Sequence, residues 1–243
     1  MRWLDPKDTV GILMPVTAED AALALPAAFS ISAYFSGSRF CLSPETRDYL
    51  SVYLQGRDDI KPGVSVDLSG PPERSPRQPC APISITTNPN NASWFNIFVR
   101  VESDDPLKRR AALLRTMGIP EVSSDWTMPG ALRDAQVYIE RSGYYPGRLR
   151  IFVDSENPKT ENEFRTLVGT RAMFLKPGIL GPAETLMLLA QSELYVGGRS
   201  VFTGFAFLFG KKCALTANLQ VPEGSVARPL GNMKRTLERF ELL

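Results

Sequence analysis

The sequence predicts an α/β protein made of two successive halves, each a parallel sheet flanked by helices. Three observations carry the prediction. Short apolar runs of strand length alternate with segments of helix length, and the alternation pauses over residues 119–130. It then starts again to the end of the chain, and strands alternating with helices in this manner pair in parallel through right-handed crossovers. The 243 residues, 43% of them hydrophobic and 22% charged, can bury either one large core or two compact ones.

In order along the chain, residues 9–16 form a short apolar run, and the alanine-rich stretch 18–35 is long enough for a helix. Ser36-Gly37-Ser38 breaks it, and 39–42 is a second short strand. Ser43-Pro44 reads as a helix cap followed by proline at the first helical position, opening a helix over 45–54. A third strand falls at 64–68. Residues 69–82 contain five prolines and are expected to be an irregular crossing. Strands at 82–87 and 95–102 flank a turn at Asn88-Pro89-Asn90-Asn91, and 106–117 is an amphipathic basic helix stopped by Gly118. With 119–130 as the connection, the halves lie at 1–120 and 131–243. The second contains helices at 131–142, 160–168, 181–192 and 201–209 and strands at 149–154, 172–175, 193–197 and 212–217. A final helix spans 233–243. No period suggests a solenoid.

Composition excludes several functions. Twenty-eight basic and 26 acidic residues are mixed along the chain to a net charge of +2, without the basic block that marks a nucleic-acid partner. Three scattered cysteines, Cys41, Cys80 and Cys213, make neither a disulfide framework nor a zinc site and fit a reducing compartment. The N-terminus lacks an apolar signal core and no run is long enough to span a bilayer, so the expected location is cytoplasmic, with any membrane contact peripheral. The Asn91-Ala92-Ser93 sequon then has no consequence. The chain has no histidine, so chemistry must run on carboxylates, hydroxyls, Lys, Arg or backbone donors. No dense acidic cluster calls for a metal and no cofactor is expected. The first strand is not followed by Gly-x-Gly-x-x-Gly, which argues against a dinucleotide-dependent enzyme.

Three stretches carry a family resemblance. The first is Thr9-Val10-Gly11-Ile12-Leu13-Met14-Pro15-Val16 with the following small-residue helix, in which Asp20 and Pro26 take characteristic places and Glu19 replaces a glycine. The second is Met117-Gly118-Ile119, and the third the helix and strand from Glu184 to Gly198. Together they resemble glycosyltransferase family 9, the ADP-heptose:lipopolysaccharide heptosyltransferase type, in a shortened and divergent form. Where that family has Asp-Ser-Gly-Pro-x-His, this chain has Arg199-Ser200-Val201-Phe202-Thr203-Gly204, and of the polar set only Ser200 matches. Ser200-Val201-Phe202-Thr203 also resembles an element of fucosyltransferases. Asp154-Ser155-Glu156-Asn157-Pro158-Lys159 is similar either to the family's phosphate-contacting loop, with its lysine, or to a later loop.

The resemblance implies a GT-B-like architecture reduced in size, two Rossmann-like halves facing each other, with the acceptor on the N-terminal half and a nucleotide sugar on the C-terminal half. It implies inverting, metal-independent transfer of a sugar to a lipopolysaccharide or other glycan acceptor, with Asp20 as base and Lys159, Gly198, Arg199, Ser200 and Thr203 around the donor. Each has a plainer reading: Asp20 as a helix cap, Arg199 and Lys159 as solvated charges, Gly197-Gly198 as an ordinary strand end. Phe202, Phe205, Phe207 and Phe209 read as core or interface. The alternative function is a catalytically inactive GT-B-like binding or assembly subunit, with a homo-oligomer or an assembly partner, favoured if those phenylalanines form an exposed patch.

Overall fold

A computed structural model describes residues 4–71, 79, 81–122, 129–141, 147–154, 158–231 and 233–242. The chain divides into two compact units, residues 1–125 and 126–243. Each contains one five-stranded, all-parallel sheet.

Unit 1 runs β1 (Thr9–Leu13), α1 (Ala18–Leu23), α2 (Leu25–Tyr34), β2 (Gly37–Cys41), α3 (Pro44–Leu50), β3 (Val64–Asp67), β4 (Ile83–Thr86), β5 (Ile97–Phe98) and α4 (Pro106–Met117). Its strand order is β2-β1-β3-β4-β5. Residues 18–35, expected as one helix, are two, because Pro26 in the first turn of α2 has no N–H to continue the ladder from α1. Gly37 and Ser38, expected to be a break, pair with Thr9 and Val10 as the start of β2. β4 and β5 are parallel, so the segment between them is a crossover containing a 3₁₀ turn at Pro89–Asn91 and not a hairpin. α4 has the predicted bounds. Asp105 caps it by accepting from the N–H groups of Leu107 and Lys108, at 2.8 and 3.3 Å, and Gly118 closes it in the left-handed conformation at φ 69°. Much of the proline-rich 69–82 stretch and of the 119–130 connection lies outside the described residues.

Unit 2 runs α5 (Pro129–Arg141), β6 (Leu149–Asp154), α6 (Pro158–Val168), β7 (Ala172–Leu175), α7 (Pro182–Gln191), β8 (Leu194–Gly197), α8 (Val201–Leu208), β9 (Lys212–Leu215), β10 (Ala227–Pro229) and α9 (Met233–Arg239). Its order is β10-β9-β8-β6-β7. The edge strand β10 was not anticipated; three residues ending in proline show no alternation. Leu237 of α9 and Phe240 just after it pack on Ile151, Val153, Leu194 and Val196, covering the middle of the sheet. Phe202, Phe205 and Phe207 are buried, so α8 belongs to the core and offers no exposed aromatic patch for assembly.

Candidate functional site

In an open parallel sheet, ligands collect where the strand order reverses, beyond the carboxyl ends of the two central strands. In unit 1 that point lies between β1 and β3. Asp20 sits just beyond it, third residue of α1. It is not the helix cap, since that position belongs to Thr17, whose side chain makes no capping bond. Instead its Oδ1 accepts from Arg110 Nη2 at 2.6 Å, with side chains 18% and 5% exposed respectively. Arg110 also donates from Nε and Nη2 to the carbonyl of Leu68, at 3.2 and 3.0 Å. The neighbouring Asp67, fully buried at the end of β3, accepts from Ser69 N–H, Thr86 Oγ1 and Asn91 Nδ2 at 3.0, 2.7 and 2.8 Å. Asn88 Nδ2 donates to Ser69 Oγ at 3.0 Å. These bonds tie the exits of β3 and β4 together, and Arg110 joins them at Leu68, between Asp67 and Ser69.

Sequence reasoning missed Arg110, Asp67, Asn88 and Asn91. Arg110 could have been found, because it falls in register with Pro106, Leu113, Leu114 and Met117 on the buried stripe of α4. Arg109, beside it, is also buried, and that burial lowers its pKa from the usual arginine range.

In unit 2 the order reverses between β6 and β8. Asp154 ends β6 and Gly197 ends β8, paired in register. Between them lies the hydroxyl of Tyr195, a fully buried residue whose ring stacks on Phe152 at 6.2 Å between centroids. That hydroxyl contacts Asp154 Oδ2 at 3.0 Å, Ser200 Oγ at 3.3 Å and Thr203 Oγ1 at 2.7 Å. Ser200 also donates to Asp154, and Thr203 to the carbonyl of Gly198. Burial, and then the Asp154 charge, push the Tyr195 phenol well above its ordinary pKa, so it stays protonated. The two glycines have packing reasons: a Cβ on Gly197 would lie 2.2 Å from the Tyr195 hydroxyl, and one on Gly198 2.8 Å from Thr216 Oγ1.

Gly198, Ser200 and Thr203 are thus brought together, joined by Asp154, the first residue of the stretch compared with a phosphate-contacting loop, and by Tyr195, which no expectation included. Ser200 occupies the cap position of α8 but turns its hydroxyl to Asp154 and makes no capping bond. Arg199 is exposed and donates to the carbonyl of Asn218 at 3.2 Å. Beyond Asn218 a cavity of about 320 Å³ opens at the exits of β9 and β10, lined by Thr216, Leu219, Val221, Arg228 and Leu230 among others. Lys159 lies in the first turn of α6; its side chain is outside the described residues. Among the described residues no group of three or more Asp, Glu or Cys side chains could hold a metal ion, and no helix is long and apolar enough to cross a membrane.

No family model matches the sequence, and no curated protein matches it by sequence. Solved structures do match by fold. The glycosyl transferase family 9 protein of Veillonella parvula aligns over 99% of this chain and 91% of its own, at 10% identity and a TM-score of 0.63. The Escherichia coli heptosyltransferase WaaC, solved with ADP-2-deoxy-2-fluoro heptose, aligns over 96% and 98%, at 9% identity and a TM-score of 0.61. The E. coli ADP-heptose LPS heptosyltransferase II aligns over 91% and 89%, at 9% identity and 0.56. Two five-stranded parallel sheets with flanking helices, following one another along the chain, therefore give this protein the GT-B-like fold of the family 9 heptosyltransferases.

Proposed function

We propose that the chain is a glycosyltransferase that moves a sugar from a nucleotide-sugar donor, held by unit 2, to a hydroxyl of a glycan or lipid-linked acceptor on unit 1. The observation that carries the reading is Asp20, a carboxylate set by an ion pair at the strand-order reversal of unit 1. The fold likeness supports it. In the reaction the acceptor oxygen attacks the anomeric carbon as Asp20 removes its proton, and the bond from that carbon to the diphosphate breaks with inversion. The electron pair leaves on the nucleoside diphosphate. A metal is not required where cationic side chains and helix N–H groups stabilise that leaving group. Arg199, Lys159 and the Gly198–Ser200 turn are assigned that task, with Thr203 bracing the turn through the Gly198 carbonyl.

Calorimetric titration with ADP-, UDP-, GDP- and CMP-sugars tests the reading, beginning with ADP-sugars because WaaC was solved with one. Micromolar binding of one donor is expected, retained in Asp20→Asn and weakened about tenfold in Arg199→Ala, the loss of one charge-assisted contact. A second reading has its own observation. Asp154, Tyr195, Ser200 and Thr203 are bonded to one another, which leaves fewer polar groups for a donor and favours a GT-B-like binding or assembly subunit without catalysis. Failure of all four donor classes to bind selects it.

A further inference from the structure

We infer that Arg110 is a positioning residue for Asp20: it holds Oδ1 and leaves Oδ2 as the oxygen that meets the acceptor hydroxyl. The inference rests on the reading of Asp20 as the base.

The geometry has three parts. First, Arg110 is itself fixed by backbone, since Nε and Nη2 both reach the carbonyl of Leu68. Leu68 in turn donates its N–H to the carbonyl of Leu13 at 3.0 Å, and the next residue, Ser69, is held by Asp67. The guanidinium is therefore anchored to the exits of β1 and β3. Second, the contact to Asp20 uses one carboxylate oxygen, at 2.6 Å. Among the described residues no hydrogen bond engages Oδ2. Third, the space beside Oδ2 borders Gly70, where a Cβ would stand 3.9 Å away, so a longer side chain at that position could cover the oxygen.

A planar guanidinium serves a carbonyl and a carboxylate at once, which a lysine ammonium on its flexible stem cannot reproduce with the same direction. During transfer the acceptor O–H bond breaks, the new bond to the anomeric carbon forms, and the proton ends on Oδ2. Oδ1 keeps its bond to Arg110 throughout. Arg110 touches neither substrate nor leaving group.

The test uses the full chain and the ADP-, UDP- and GDP-sugars, reading release of nucleoside diphosphate with water as acceptor. Arg110→Gln is expected to lower kcat about 10²-fold, the scale of a misplaced catalytic group, with donor KM within twofold. Arg110→Lys, also the fallback if the glutamine variant does not fold, should recover part of the loss. The double variant Asp20→Asn/Arg110→Gln should be no slower than Asp20→Asn alone. If the two losses multiply, Arg110 acts on substrate directly and the inference is overturned. A crystal structure of Arg110→Gln gives a readout independent of turnover. An Asp20 carboxylate rotated out of its place supports positioning, and an unmoved one refutes it. Absence of turnover in the wild type defeats the Asp20 reading instead, and the crystallographic arm still decides whether Arg110 orients the carboxylate.

Discussion

Tyr195 shows how a single side chain can organise a strand exit. Its ring lies against Phe152 in the core while its hydroxyl touches groups from β6, the 197–200 turn and α8. Tyr195→Phe keeps the ring and removes the hydroxyl, leaving Asp154 and Thr203 short of one partner. The expected destabilisation is about 1–2 kcal/mol, measured by urea unfolding at neutral pH. Cys213 offers a pH-dependent prediction. Burial pushes its thiol from 9.0 up to about 12. A folded-state pKa above the unfolded one means that the stability due to the neutral thiol is complete below about pH 9 and is lost as pH rises towards 12. The urea midpoint should therefore fall across that window, and less steeply in Cys213→Ala.

At the scale of elements, α4 has the double task of closing unit 1 and delivering Arg110 to Asp20. Its start depends on the Asp105 cap. Asp105→Ala is expected to cost about 1 kcal/mol, and hydrogen exchange should show faster opening at Leu107 and Lys108. The same helix illustrates what was legible in the sequence. A proline at its first position, a periodic apolar stripe and a terminal glycine fixed both its ends. β6 and β7 were equally legible as apolar runs bounded by breakers. The division of 18–35 was less so, because alanine-rich helical signal masked what Pro26 does at a helix start. β10 was not legible at all, since its place is set by pairing with β9 and not by local pattern. In the candidate site, Asp20, Ser200, Thr203 and Gly198 were each visible from motif position. Their pairing with Arg110, Asp154 and Tyr195 was not, as these contacts join residues 90, 46 and 8 positions apart, brought together by the packing of α4 beside α1, the pairing of β6 with β8 and the β8–α8 turn.

For the whole molecule, each unit has its own sheet and its own buried interior. Fragments 1–125 and 126–243 expressed separately should therefore each fold, to be checked by near-ultraviolet circular dichroism and cooperative urea transitions. A fragment that stays unfolded would show that its core depends on the other unit.

The Asp20–Arg110 pair also sets an order of events during synthesis. Asp20 leaves the ribosome first, and its partner follows 90 residues later on α4. At about 5–20 residues per second, the nascent chain carries the carboxylate unpaired for several seconds, and a message truncated before Arg110 yields a first sheet with no assembled site. Completion of α4 is thus the step at which translation converts a nascent sheet into a candidate acceptor surface, before most of unit 2 has been made.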